Sequence, residues 1–186
     1  MNYNANLKKK LRQNLITKRK QLTESEVKDL NKKIFKNLED KFGIEFFQNL
    51  SLVSGYMAFN NEPEVITIMN WLNKNGVKTT LPRIHNDSIK FYEWNQYFPL
   101  IKNSFNIYEP LVGIEVIPQA LFIPLVGFDK NLNRLGHGFG HYDKKLSTMT
   151  DSIKIGIGYS LQEVAKIPIE EHDVKLDYII TNSTCY

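Results

Sequence analysis

Cysteine is nearly missing from this chain: Cys185 stands alone. No internal disulfide can form, so a hydrophobic core must hold the fold, and a reducing compartment such as the cytoplasm suits it. No apolar run approaches the ~20 residues of a membrane-spanning helix. The polar, lysine-rich start lacks the apolar segment of a secretory signal. Both common nucleotide fingerprints, G-x-x-x-x-G-K-[ST] and G-x-G-x-x-G, are absent. Acid is missing from the first 23 residues, where Lys8, Lys9, Lys10, Arg12, Lys18, Arg19 and Lys20 set +7 against −3 for the rest. A basic arm on a mildly acidic body fits a polyanion, either nucleic acid or a nucleotide phosphate chain; a solvated helix face is the plainer account.

What is present is ordinary for a globular protein. The chain has 186 residues, 42% hydrophobic and 24% charged, enough for one domain over 1–186 with its own core. Leu7, Leu11, Leu15 and Leu22 share a helical face, which predicts a helix over about 5–21. Thr23-Glu-Ser-Glu26 is a capping box opening a second helix, with Gly43 as its stop. Residues 51–59 are apolar on both alternating faces, as in a covered central strand. A third helix from about Val65 ends before Gly76, and Val77–Leu81 and Ile89–Trp94 form a hairpin. Residues 95–118 read as a long irregular loop carrying Phe98, Phe105 and Tyr108. Ala120–Val126 is a buried strand and its exit, about 142–149 a helix, and 153–159 a strand. Ser160-Leu-Gln-Glu163 is a second capping box opening a short helix, and a last apolar strand ends near Asn182. Strands alternating with helices predict a layered α/β domain, its central sheet mainly parallel and flanked by helices.

The densest signal is Arg134-Leu-Gly-His-Gly-Phe-Gly-His-Tyr-Asp143, which follows a strand and precedes a helix. That order aims backbone N–H groups and a helix N-terminus at a phosphate, and glycine lets the ligand come close. A tight turn that needs glycine for sterics explains the same pattern. His137 and His141 have the spacing of two zinc ligands on a helix, but Gly138 and Gly140 intervene and no H-E-x-x-H is present.

Pro124-Leu-Val-Gly-Phe-Asp129 followed by Arg134–Asp143 resembles the signature of the 5-formyltetrahydrofolate cyclo-ligases, roughly P-G-x-x-F-D and then R-L-G-x-G-x-G-Y-Y-D-R. The likeness continues in Lys8-Lys-Lys-Leu-Arg12, Glu64-Val-Ile-Thr67, Leu81-Pro-Arg83, Tyr108-Glu-Pro110, Gly158-Tyr-Ser-Leu-Gln162 and His172–Thr181. His141 stands where tyrosine is usual, Phe139 where a small residue or lysine is, and Lys144 where arginine is common. The resemblance implies a CoA-transferase-like (NagB/RpiA-like) architecture. It also implies an ATP- and Mg²⁺-dependent closure of 5-formyltetrahydrofolate to methenyltetrahydrofolate, by a monomer acting on small molecules, with no nucleic acid or membrane partner.

By the same resemblance Lys8, Lys9, Lys10, Leu11 and Arg12 contact ATP from the first helix. Arg134, Leu135, Gly136, His137, Gly138, Phe139, Gly140, His141 and Tyr142 form the ATP loop, with Arg134, His141 and Tyr142 closest to the chemistry. Asp143 and Asp173 hold Mg²⁺. Glu64 contacts the folate and Phe59 flanks its pterin, although from the residues alone an acid near a helix start is the stronger account of Glu64, and core packing competes for Phe59. Phe105 and Tyr108 are candidates for stacking. Two other readings stand beside this one: an RNA-binding module using the basic helix, and a phosphotransferase that keeps the ATP loop without folate.

Overall fold

The computed structural model describes residues 3–86, 88–103, 106–111 and 113–186. Its centre is a seven-stranded sheet. In chain order the strands are β1 (Leu52–Ser54), β2 (Lys78–His85), β3 (Ser88–Trp94), β6 (Glu115–Val116), β7 (Ala120–Pro124), β10 (Ile153–Ile157) and β11 (Tyr178–Ile180). They lie in the order β11-β10-β7-β1-β2-β3-β6. The first five are parallel, while β3 and β6 are added antiparallel. Central β7, Ala-Leu-Phe-Ile-Pro, is apolar without alternation because both faces are covered: Phe122 packs into one core cluster, Leu121 and Ile123 into another.

Helices α1 (Tyr3–Lys20), α2 (Glu24–Gln48), α3 (Ile66–Lys74) and α4 (His141–Leu146) supply the layers. Ile34 and Leu38 of α2 and Ile68, Met69 and Leu72 of α3 cover one face; Leu146 and Met149 cover the other. Each such side chain contributes about 1.5–3 kcal/mol by leaving water. Helix α1 sits apart from both layers. Its Leu15 packs with Val126, Leu135 and Ile167, over a two-stranded ribbon formed by β8 (Gly127–Phe128) and β9 (Arg134–Leu135).

The Thr23 box forms as the sequence predicts: Thr23 N donates to Glu26 Oε2 at 2.8 Å, and Glu26 N to Thr23 Oγ1 at 3.3 Å. Other expectations need correction. Gly43 (φ 65, ψ 172) kinks α2 and does not end it; helix resumes to Gln48 because Phe47 is buried against Phe122, ring centroids 5.9 Å apart. The strand expected over 51–59 stops at Ser54, after which Tyr56 turns inward and donates its hydroxyl to Pro63 O at 2.8 Å. The region 95–118 is not wholly irregular, since β4 (Leu100–Lys102) pairs with β5 (Tyr108–Pro110) and β6 joins the sheet. The helix after the glycines ends at Leu146, short of Met149. Ser160–Gln162 is a single 3-10 turn, held one residue earlier than expected by Tyr159 N donating to Gln162 Oε1 at 2.7 Å.

Candidate active site

Chain direction divides at the middle of the sheet. From β1 it moves to β2 on one side, and from β7 to β10 on the other. Such a switch point leaves a crevice at the carboxyl ends of the strands, where α/β proteins bind ligands. A cavity of about 690 Å³ lies there, bounded by Tyr56, Phe59 and Glu62 beyond β1, Pro124 at the end of β7, and residues 136–143. Its far wall is formed by Ile84, Ile89, Tyr108 and Glu109.

The glycine loop leaves β9 and bends through Gly138 (φ 102) and Gly140 (φ 71), conformations costly for a side-chain-bearing residue. Gly136 serves closeness instead: a Cβ there would lie 2.7 Å from Arg134 Nη1. Helix α4 has six residues, too few for a long macrodipole, so the loop amides and nearby cations are what the site offers an anion.

Those cations are already engaged. The buried Arg134 donates from Nη2 to both oxygens of Asp143 at 2.9 Å and lies over the Tyr142 ring, 5.5 Å from its centroid. Its Nε is buried without a hydrogen-bond partner among the described residues. Arg12 Nε donates to Gly136 O at 2.8 Å. Burial lowers the Arg12 pKa, against the pull of Asp173 and Glu170, without removing its charge. Lys8 Nζ bridges Asp173 at 2.6 Å and Glu170 at 2.8 Å. Burial alone would lower the Lys8 pKa; its hydrogen bonds to Asp173 and Glu170 outweigh that and raise it. Arg12 feels both acid groups and Arg134, so Lys8, Arg12, Arg134, Asp143 and Asp173 share one electrostatic site.

The other expected residues divide between the cavity wall and the body of the protein. Lys9 and Lys10 face solvent, and Leu11 packs against the cluster under α1. Leu135 is buried beneath the loop. Phe139 is exposed, its ring stacked 5.8 Å from that of His141. Tyr142 packs into the core, and burial raises its phenol pKa. Phe59 lines the cavity, its ring 5.0 Å from that of His137. Tyr108 lines it too; Phe105 lies outside the described residues. Glu64 does not reach the cavity. Its carboxylate caps α3, accepting from Ile66 N, from Thr67 N at 3.2 Å and from Thr67 Oγ1 at 2.8 Å. Glu62, which no local pattern marks out, lines the cavity together with Glu109 and Asp143. Glu170 was also missed; with His172 and Asp173 it offers ligand atoms within 4.8 Å of one another. No helix is long and apolar enough to cross a membrane, among the described residues.

The pattern of the 5-formyltetrahydrofolate cyclo-ligase family matches residues 4–182. A 5-formyltetrahydrofolate cyclo-ligase of Mycoplasma genitalium is 32% identical over 182 residues, covering 94% of this chain and 98% of that protein. Its counterpart in Haemophilus influenzae is 33% identical over 131 residues, 65% of this chain and 70% of that protein. The solved structure of a 5,10-methenyltetrahydrofolate synthetase from Aquifex aeolicus superposes with a TM-score of 0.83 at 28% identity, covering 96% of this chain and 91% of that one. The chain belongs to the 5-formyltetrahydrofolate cyclo-ligase family.

Proposed function

We propose that this chain, as a single domain on a CoA-transferase-like scaffold, closes 5-formyltetrahydrofolate to 5,10-methenyltetrahydrofolate at the expense of ATP. The observation that carries this is one cavity with Arg134 and the glycine loop at one end, Arg12 hydrogen-bonded to that loop, and Ile84, Ile89 and Tyr108 at the other. One end suits a triphosphate and the other a flat heterocycle. The formyl oxygen attacks the terminal phosphorus, the bond to ADP breaks, and an imidate phosphate forms. The neighbouring anilino nitrogen then attacks the formyl carbon, the carbon–oxygen bond breaks, phosphate leaves, and the nitrogen's proton goes to water. Little covalent chemistry is asked of the protein, which aligns the two substrates and offsets phosphate charge.

Asp143 and Asp173 carry the hard oxygen ligands that Mg²⁺ prefers, and they lie beside the cations meant for phosphate, so the donor set fits. When bound, the ion offsets negative charge on the phosphates. With those carboxylates on the ion, Arg134 and Lys8, which now pair with them, would be available to donate to phosphate oxygens. The lone Cys185 suits a reducing cytoplasm. An RNA-binding role for α1 has less support, because Lys8, Arg12 and Arg19 turn into the protein.

Mixing the protein with Mg-ATP and 5-formyltetrahydrofolate should give the near-ultraviolet absorbance of methenyltetrahydrofolate with stoichiometric ADP. ADP release unaffected by the folate, with no absorbance change, would replace this reading by a phosphotransferase on another substrate.

A further inference from the structure

Beside the glycine loop lies a buried network that the expectations from sequence do not use. Glu62, in the turn after β1, has a side chain only 1% exposed. Its Oε1 lies 2.9 Å from His137 Nε2 and 3.5 Å from Arg19 Nη2, and its Oε2 accepts from Phe59 N at 3.3 Å. Arg19, in the last turn of α1, is as deeply buried. It donates from Nε to Asn60 O at 3.1 Å and from Nη1 to Leu125 O at 3.3 Å. So α1 neutralises this carboxylate, and the loop receives its hydrogen-bonding capacity. For His137 to donate to a carboxylate, the proton must sit on Nε2.

A carboxylate in so dry a place costs free energy unless its partners are held. Here they tie together pieces distant in sequence: the end of α1, the exit of β1, the exit of β7 and the glycine loop. That loop needs tying. Glycine-rich backbone has many conformations to lose on binding a nucleotide, and amides fixed beforehand avoid that loss. Arg12 holds the loop at Gly136 O, and Glu62 holds the very next residue by its side chain.

We propose that Glu62 is a positioning residue for ATP: through the Nε2–H of His137 it fixes the conformation of the glycine loop. This rests on the reading of that loop as the ATP site. It also assigns a task to a loop side chain that a backbone cradle by itself does not need.

The test is calorimetric titration of the full chain with Mg-ATP, together with steady-state kinetics. His137→Ala removes the donor, whereas His137→Gln places an amide nitrogen where Nε2 was; both leave Arg19 facing Glu62, so folding is not at risk. His137→Ala should weaken Mg-ATP about tenfold in titration, with a matching rise in the KM for ATP. His137→Gln should bind within about twofold of the parent. In a Glu62→Gln background, which weakens the same contact, His137→Ala should cost less than it does alone. Equal weakness of His137→Gln and His137→Ala would show that the ring itself matters and overturn the proposal, as would unchanged affinity in both or fully additive losses. No Mg-ATP binding by the parent protein would overturn the ATP reading instead.

Discussion

Two aspartates show how differently one side chain serves in this fold. Asp129, which closes the Pro124–Asp129 motif, is fully buried. Its oxygens accept from Asn131 N, Asn133 N, Asn133 Nδ2 and, across the site, Ile167 N. Burial raises its pKa, and those donors more than reverse this, so the net shift is downward. The sign of the linkage follows. Stabilisation from Asp129 is full above the ordinary carboxylate range near pH ~4 and is lost as pH falls through the depressed value. Asp129→Ala should cost about 2–4 kcal/mol in chemical denaturation at neutral pH, through orphaned buried amides, and should flatten the acid limb of the stability profile. Asp143 is the opposite case, half-buried and paired with Arg134. Asp143→Asn keeps an acceptor for the guanidinium but loses the charge a metal needs. Turnover should fall by on the order of 10²-fold, only partly restored by added Mg²⁺, while the melting temperature moves little. Unchanged turnover would remove Asp143 from the metal site.

Helix α1 is the element that carries the site, although it packs apart from the two main layers. Its leucine stripe seats it on the β8–β9 ribbon, and the same turns present Lys8, Arg12 and Arg19 inward. Lys8→Ala and Arg12→Ala should each weaken ATP by about 1–3 kcal/mol in titration and leave the folate KM nearly unchanged. Lys20→Ala, on the solvent side, should do little; equal losses from all three would indicate a diffuse field. Folding should survive Lys8→Ala, because Asp173 and Glu170 keep 20% and 27% side-chain exposure and can be hydrated once unpaired.

For the whole molecule, ligand binding and stability should be linked. The site joins α1, the exits of β1 and β7, and the glycine loop, so on the proposed function Mg-ATP should bind the folded chain and not the unfolded one. At one hundred times its Kd it should add about 2.7 kcal/mol, read as a rise in melting temperature. ATP with a chelator should give a smaller rise, since Asp143 and Asp173 then keep Arg134 and Lys8. Equal rises with and without chelator would sever the metal from nucleotide binding.

Local patterns were enough for much of this. The Thr23 box, the apolar stripes of α2 and α3, the Leu11–Leu15 part of the α1 stripe, the β2–β3 hairpin and the glycine loop depend on residues a few positions apart, so the sequence alone determines them. By contrast, Leu7 stays exposed and Leu22 packs into another cluster. The motifs carried the family as well. Tertiary structure decided what depends on distant partners. Gly43 bends a helix that continues because Phe47 finds Phe122 on another element. The β8–β9 ribbon, two residues a side, has too short a run to show a period, and it forms where Leu15 covers it. Glu64 and Glu62 are both acids in one turn; only the path of the chain after β1 sends one to cap α3 and the other into the cavity. Glu170 gains its place from Lys8, far away in sequence. Charge and hydrogen-bond partners are set by folding in three dimensions, and periodicity along the chain carries no record of them.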